Sequence, residues 1–345
     1  MKNNNIENND DIGSPDHSPY DPKPLAEADL WFLPAPPESA APTDPPWPVA
    51  DRAPEMSAEA WHQAEAAQYR AVLAAAQAVA RFGERLRHFP TGTADRFALS
   101  SVSAVLRGEG VWIGPDQIAL YSHLRLGTSE DAQDYLRAAW ALRRLNAGLD
   151  PREDLQGFLG RTASAEDDLR PLIDHWTRAV QDAGDLHPIC RAGFALGVWR
   201  RLDLSPFSQA LEPVLAAQII GAEGLARFLP LSGTARAECG GGAAARLAVW
   251  LAAVEAGALD GLLTLERLAA WQTRATKAAA GLSGRTPAAL IGALLRLPVL
   301  SADLAARTTG CSAPGIRRNL ALLSDLGLVR EITGQSRYRF WTAQI

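Results

Sequence analysis

The stretch TPAALIGALLRLPVLSADLAARTTGCSAPGIRRNLALLSDLGLVREITGQSRYRFW, residues 286–341, decides how this chain folds. From Thr286 to Leu297 the leucines Leu290, Leu294 and Leu297 fall at the spacing of one buried helical face. Ser301 caps a second helix, Ala302 to Thr308. After a tight turn at Thr309-Gly310-Cys311, Ser312 caps a third, with Pro314 in its first turn, where a missing N–H costs nothing. Ile316, Leu320 and Leu323 give that helix its inner stripe, and Gly327 ends it. Leu328 to Ile332 and Arg337 to Trp341 then alternate as two strands, and Thr333-Gly334-Gln335-Ser336 turns between them. Three helices and a hairpin in this order read as a winged helix-turn-helix.

The spacing narrows the choice further. Ala306, Gly310 and Ile316 supply a small residue where two helices meet, a glycine where the turn goes left-handed, and a branched apolar residue under the third helix. With Ile316 inward, Pro314, Arg317, Arg318 and Ala321 face outward. Adjacent arginines at the start of such a helix suit guanine edges or phosphates in the major groove. Ser312, Arg317, Arg318, Arg330, Arg337 and Arg339 are therefore the expected DNA-binding residues, and double-stranded DNA is the expected partner. A winged helix used for protein contacts, with its arginines simply solvated, is the competing reading. Charge favours DNA. Residues 285–345 hold eight arginines and three acids, net +5, while the whole chain is −5, leaving −10 on the remainder.

The rest of the composition bounds the problem. At 345 residues and 47% hydrophobic content the chain can build two ordered domains. Cys190, Cys239 and Cys311 are dispersed and odd in number, which argues for a reducing compartment and against a structural zinc site or disulfide framework. Met1 to Pro22 is polar, without the apolar core of a signal peptide. The most apolar run, Ala243 to Leu263, carries Arg246, Glu255 and Asp260, so no transmembrane helix is expected there. The expectation is a cytoplasmic protein without cofactor or metal.

Residues 1–55 hold about half of the 23 prolines and read as a disordered, Pro-rich segment, with Leu30-Trp31-Phe32-Leu33 and Trp47 able to strap onto the body. Residues 56–281 show helical period almost throughout. Helices are expected at Ser57 to His88, Asp95 to Arg107, Pro115 to Leu124 and Ser129 to Asn146. Others follow at Asp167 to Asp182, Pro188 to Arg200, Pro206 to Phe228, Ala243 to Ala256 and Leu265 to Ala280. The fold class is mainly α: a multi-helix body, then a winged helix-turn-helix over 285–345 carrying one small β-hairpin.

Chemistry in the body is thin. Gly108-Glu109-Gly110 and Gly240-Gly241-Gly242 read as a helix-ending turn and an inter-helix connection; neither has the lysine of a phosphate loop. His62, His88, His123, His175 and His187 form no HxxxH or HExxH pair. Glu153-Asp154 and Asp167-Asp168 sit where helix first turns favour acids.

His187-Pro188-Ile189-Cys190-Arg191-Ala192 resembles a helix of bacterial Fic-type AMP-transferases, which leads into a catalytic HPFxxGNGR loop. Here Asp203 aligns with the catalytic histidine and no GNGR follows. Ser100-Ser101-Val102, Gly108-Glu109-Gly110 and the C-terminal hairpin extend the resemblance over about residues 95–341. It implies helical architecture without the activity. The runs Leu99 to Ser103, Gly108 to Gly114, Leu124 to Gly127 and Ala138 to Leu145 resemble a plasmid-borne bacterial family that joins an uncharacterised helical domain to a C-terminal helix-turn-helix. That resemblance implies the layout of the chain.

The expected function is DNA binding by a transcriptional or plasmid-maintenance regulator, not catalysis. Nucleotide transfer by a remodelled Fic-like body, using Arg191, Asp203 and Gly108-Glu109-Gly110, and a protein-interaction scaffold are the alternatives. A homodimer is expected, since useful DNA specificity commonly needs two half-sites. Its interface is placed in the body, with the helices around Trp140 and Trp250 as contact faces that would serve equally well as monomer core.

Overall fold

The computed structural model describes residues 57–124, 132–160, 169–206, 209–232, 241–334 and 339–345, and these are mainly helical. The Pro-rich segment, the expected helix start at Ser129, the pair Asp167-Asp168, and Arg337 lie outside the described residues.

Ser57 caps α1 (Ala58–Ala67), accepting a hydrogen bond from the Ala60 N–H at 3.1 Å. The chain breaks at Gln68 before α2 (Tyr69–Arg87), so the helix expected from Ser57 to His88 is two. The break turns the Trp61–Ala64 face and the Val72–Ala75–Val79–Phe82 face separately into the core. α3 (Ala94–Gly108), α4 (Pro115–Leu124) and α5 (Ala132–Ala147) follow. Asp154 caps the five-residue α6 (Leu155–Leu159), accepting from the Gly157 N–H at 2.7 Å. Next come α7 (Arg170–Asp182) and α8 (Pro188–Leu202), the latter capped by His187, whose Nδ1 accepts from the Ile189 N–H.

α9 (Leu211–Gly221) is much shorter than the helix expected over 206–228. The Glu109 carboxylate fixes its start by accepting from the Ala210 and Leu211 N–H groups. At its end Gly221 leaves no room for a side chain: a Cβ there would lie 2.3 Å from Leu229 Cδ1 and 2.9 Å from Ala192 Cβ.

The largest departure from expectation is α10 (Ala243–Ala279), one continuous helix where two were expected. Gly257 and Gly261 lower helix propensity by about 1 kcal/mol each relative to alanine. They are there for packing. A Cβ on Gly257 would sit 2.5 Å from the Pro230 carbonyl oxygen, and one on Gly261 would sit 2.7 Å from the Phe82 ring. Among the described residues α10 alone is long and apolar enough to cross a membrane, but nearly half of its apolar stretch is buried inside the protein. Trp250 lies in the core with its indole N–H donating to the Ile189 carbonyl at 2.7 Å. Trp140 packs edge-on against Phe158. Trp250 thus serves the core of the monomer, and Trp140 is half-buried.

α10 also feeds a second core. Leu247, Trp250, Val254 and Ala258 join the body, whereas Leu268, Trp271 and Ala275 pack with α11 (Thr286–Arg296), α12 (Ala302–Thr309) and α13 (Ala313–Asp325). Strands β1 (Leu300–Ser301), β2 (Val329–Glu331) and β3 (Phe340–Ala343) form an antiparallel sheet in the order β1-β3-β2. β1 was not foreseen. Alternation divides the sheet: Leu300, Val329, Trp341 and Ala343 face the C-terminal helices, while Phe340, with Ile332 and Val299, joins the core of the body. The sheet thus lies between the two sets of helices, covered on both faces.

Candidate nucleic-acid interface

α13 forms because Ser312, in extended conformation, accepts a hydrogen bond from the Gly315 N–H, and Pro314 stands in the first turn. Ile316, Asn319, Leu320 and Leu323 are buried beneath it. The turn before it uses Gly310 at φ 64°, the left-handed conformation a glycine adopts without penalty. The Arg285 guanidinium, from the start of α11, donates to the Gly310 carbonyl at 2.8 Å and fixes the turn from outside. Cys311 is buried in the same turn, its thiol lowered by hydrogen bonding with Thr309 and Thr286 and by the charge of Arg285.

Arg317 and Arg318 stand side by side on the exposed face of α13 with Pro314 and Ala321. Arg317 lies 3.9 Å from Asp303 of α12, with both side chains about two-thirds exposed, a pairing that costs little to exchange for another anion. Ser312 is exposed but commits its oxygen to the cap, leaving its O–H to donate outward.

The hairpin separates the arginines that the sequence grouped together. Arg330 pairs in register with Thr342 and shares the Phe340 face, which is turned toward the body. Arg339 is on the opposite face, its guanidinium 5.5 Å from the centre of the Trp341 ring and 4.0 Å from the Glu331 carboxylate. Glu331 organises the turn: it accepts from the Thr333 hydroxyl, from the Thr333 N–H at 2.8 Å and from the Gly334 N–H. Those bonds, the Thr333 hydroxyl first, hold its carboxyl below the usual carboxylate range. An acid two residues before Thr-Gly was the readable signal for this turn.

The residues singled out by the Fic resemblance do not converge. Arg191 donates to the Gly184 carbonyl and pairs with Glu223. Asp203 ends the same helix, α8, in left-handed conformation, roughly 18 Å away at 1.5 Å per residue. Burial lowers the His187 imidazole below its ordinary value. Glu109 is engaged with Arg137 and the start of α9. Among the described residues no group of three His, Cys, Asp or Glu side chains could hold a metal ion. In comparisons with known proteins, no family model and no curated protein matches the chain.

Proposed function

We propose that the chain binds double-stranded DNA, with residues 285–345 acting as a winged helix-turn-helix and α13 entering the major groove. The body, residues 56–281, carries this module, and a DNA-binding module joined to a helical body suits a role in transcription or plasmid maintenance. The observation that carries the reading is the pair Arg317–Arg318, adjacent and exposed on the outer side of a well-capped helix. Arg339, half-exposed on the hairpin, adds a further cation. Arg330, on the other face of the sheet, is not placed to read bases alongside them.

The test is full-length protein titrated onto genomic fragments at several salt concentrations. Binding should weaken steeply with salt, in proportion to the phosphates neutralised. Arg317→Ala and Arg318→Ala should each cost about 1–3 kcal/mol if they contact bases, with Arg330→Ala costing less. Absence of salt-dependent binding at about 50 mM salt overturns the reading.

A further inference from the structure

We propose that α10 pairs antiparallel with α10 of a second copy about a two-fold axis near Val254. The face of α10 opposite its buried stripe carries Ala245, Val249, Ala252, Ala256, Leu259 and Leu263, at steps of four, three, four, three and four. That is the seam of a coiled coil. Val249, Leu259 and Leu263 are 37%, 48% and 44% exposed, and no element among the described residues covers them. The helix behind them is held rigid by Trp250, Val254 and Trp271, so the seam is preformed.

The seam fits its own copy. An antiparallel axis near Val254 brings Val249 onto the partner's Leu259, Ala252 onto the partner's Ala256 and Ala245 onto the partner's Leu263, so every layer of the seam is apolar and the two alanine layers nearest the axis let the helices approach closely. Charge sets the direction. Parallel pairing would place Glu255 beside the partner's Asp260 on both flanks. Antiparallel pairing instead places Arg246 near the partner's Asp260 twice, and Glu255 meets only its own counterpart. The seam is about 28 Å long and about 10 Å wide on each copy. Together the two copies then bury roughly 560 Å² along the seam, the size of a weak, transient contact. Tyr69 and Leu73, exposed on α2 near the start of α10, add apolar surface at its edge.

This pairing does not rest on the DNA reading and is tested without DNA. Light scattering on the full chain at about 200 µM should approach twice 36.9 kDa, falling toward 36.9 kDa on dilution. The double variant Leu259→Glu, Leu263→Glu should be monomeric, with its dissociation constant raised at least about 100-fold and helical circular dichroism unchanged, because both side chains face solvent in the monomer. On a Cys239→Ser background, a mixture of Val249→Cys and Leu259→Cys chains should oxidise to the mixed dimer, with neither variant crosslinking to itself. A monomeric wild type, a glutamate variant that stays dimeric, or Val249→Cys crosslinking to itself overturns the proposal. So does a monomer that sediments with phosphatidylcholine vesicles, which would assign the face to lipid.

Discussion

Three carbonyls at the C-terminal end of a helix have no partner within it, and here a single side chain from the body takes them. Arg96 of α3 donates to Leu294 at 2.7 Å, Leu295 at 3.0 Å and Leu297 at 3.1 Å. Burial drags its guanidinium down to about 10, partly offset by Asp116, and leaves it charged at neutral pH beside the negative end of α11. Arg96→Ala should cost about 3 kcal/mol, read as a lower urea midpoint, because it strands buried carbonyls as well as losing bonds. Arg96→Lys should recover only part, since one ammonium does not span the fork. Glu331 makes a smaller, pH-dependent contribution. Its carboxyl titrates below the ordinary range in the folded state, so its contribution is fully present above the unfolded carboxylate pKa and is lost as pH falls through the folded one. Hydrogen exchange at Thr333 and Gly334 should therefore quicken in acid relative to neighbouring strand amides. Glu331→Gln should show the fast rate at neutral pH and remove the pH dependence; a pH dependence that survives in this variant would assign it elsewhere.

Elements whose signal is local were legible in the sequence, and those decided by distant partners were not. Ser301 and Ser312 name the starts of α12 and α13 because a cap and the N–H that donates to it lie three residues apart. The break at Gln68, the short α9 and the unbroken α10 depend on Ala244, Glu109, Pro230 and Phe82, residues up to 179 positions away in the sequence (Phe82 to Gly261), which no window of periodicity contains. The candidate site divides in the same way: the exposure of Arg317 and Arg318 follows from helical period, but the side of the hairpin taken by Arg330 depends on the body covering Phe340. Glycine substitutions separate the two kinds of information. Gly292→Ala, on α11 with nothing within 4 Å of the added carbon, should stabilise the protein by about 0.5–1 kcal/mol. Gly257→Ala and Gly261→Ala should each destabilise it by about 1–3 kcal/mol despite the better helix former. Thermal melts of the three variants check this, and stabilisation by either α10 substitution would mean that the contacts with Pro230 and Phe82 relax freely.

The described residues, from Ser57 onward, form one compact unit, and the reason lies in what the two cores share. α10 contributes Trp250 to one and Trp271 to the other, whose indole N–H donates to the Leu328 carbonyl at 2.8 Å. The sheet is covered on both faces, and Arg96 closes the end of α11. A chain cut at residue 285 keeps α11, α12, α13 and the sheet but loses Leu268, Trp271 and Ala275 from its core. It also exposes Phe340. About sixty residues are already close to the size at which a single core is marginal, and losing a buried tryptophan alone costs about 3–5 kcal/mol, comparable to the whole stability of such a domain. The isolated fragment 285–345 should therefore be largely unfolded at 37 °C, and the full chain should lose the tryptophan signals of both cores in one denaturant transition. Near-ultraviolet circular dichroism and intrinsic fluorescence measure both. A fragment that melts as high as the full chain would show that the C-terminal module is autonomous and that the shared core contributes little.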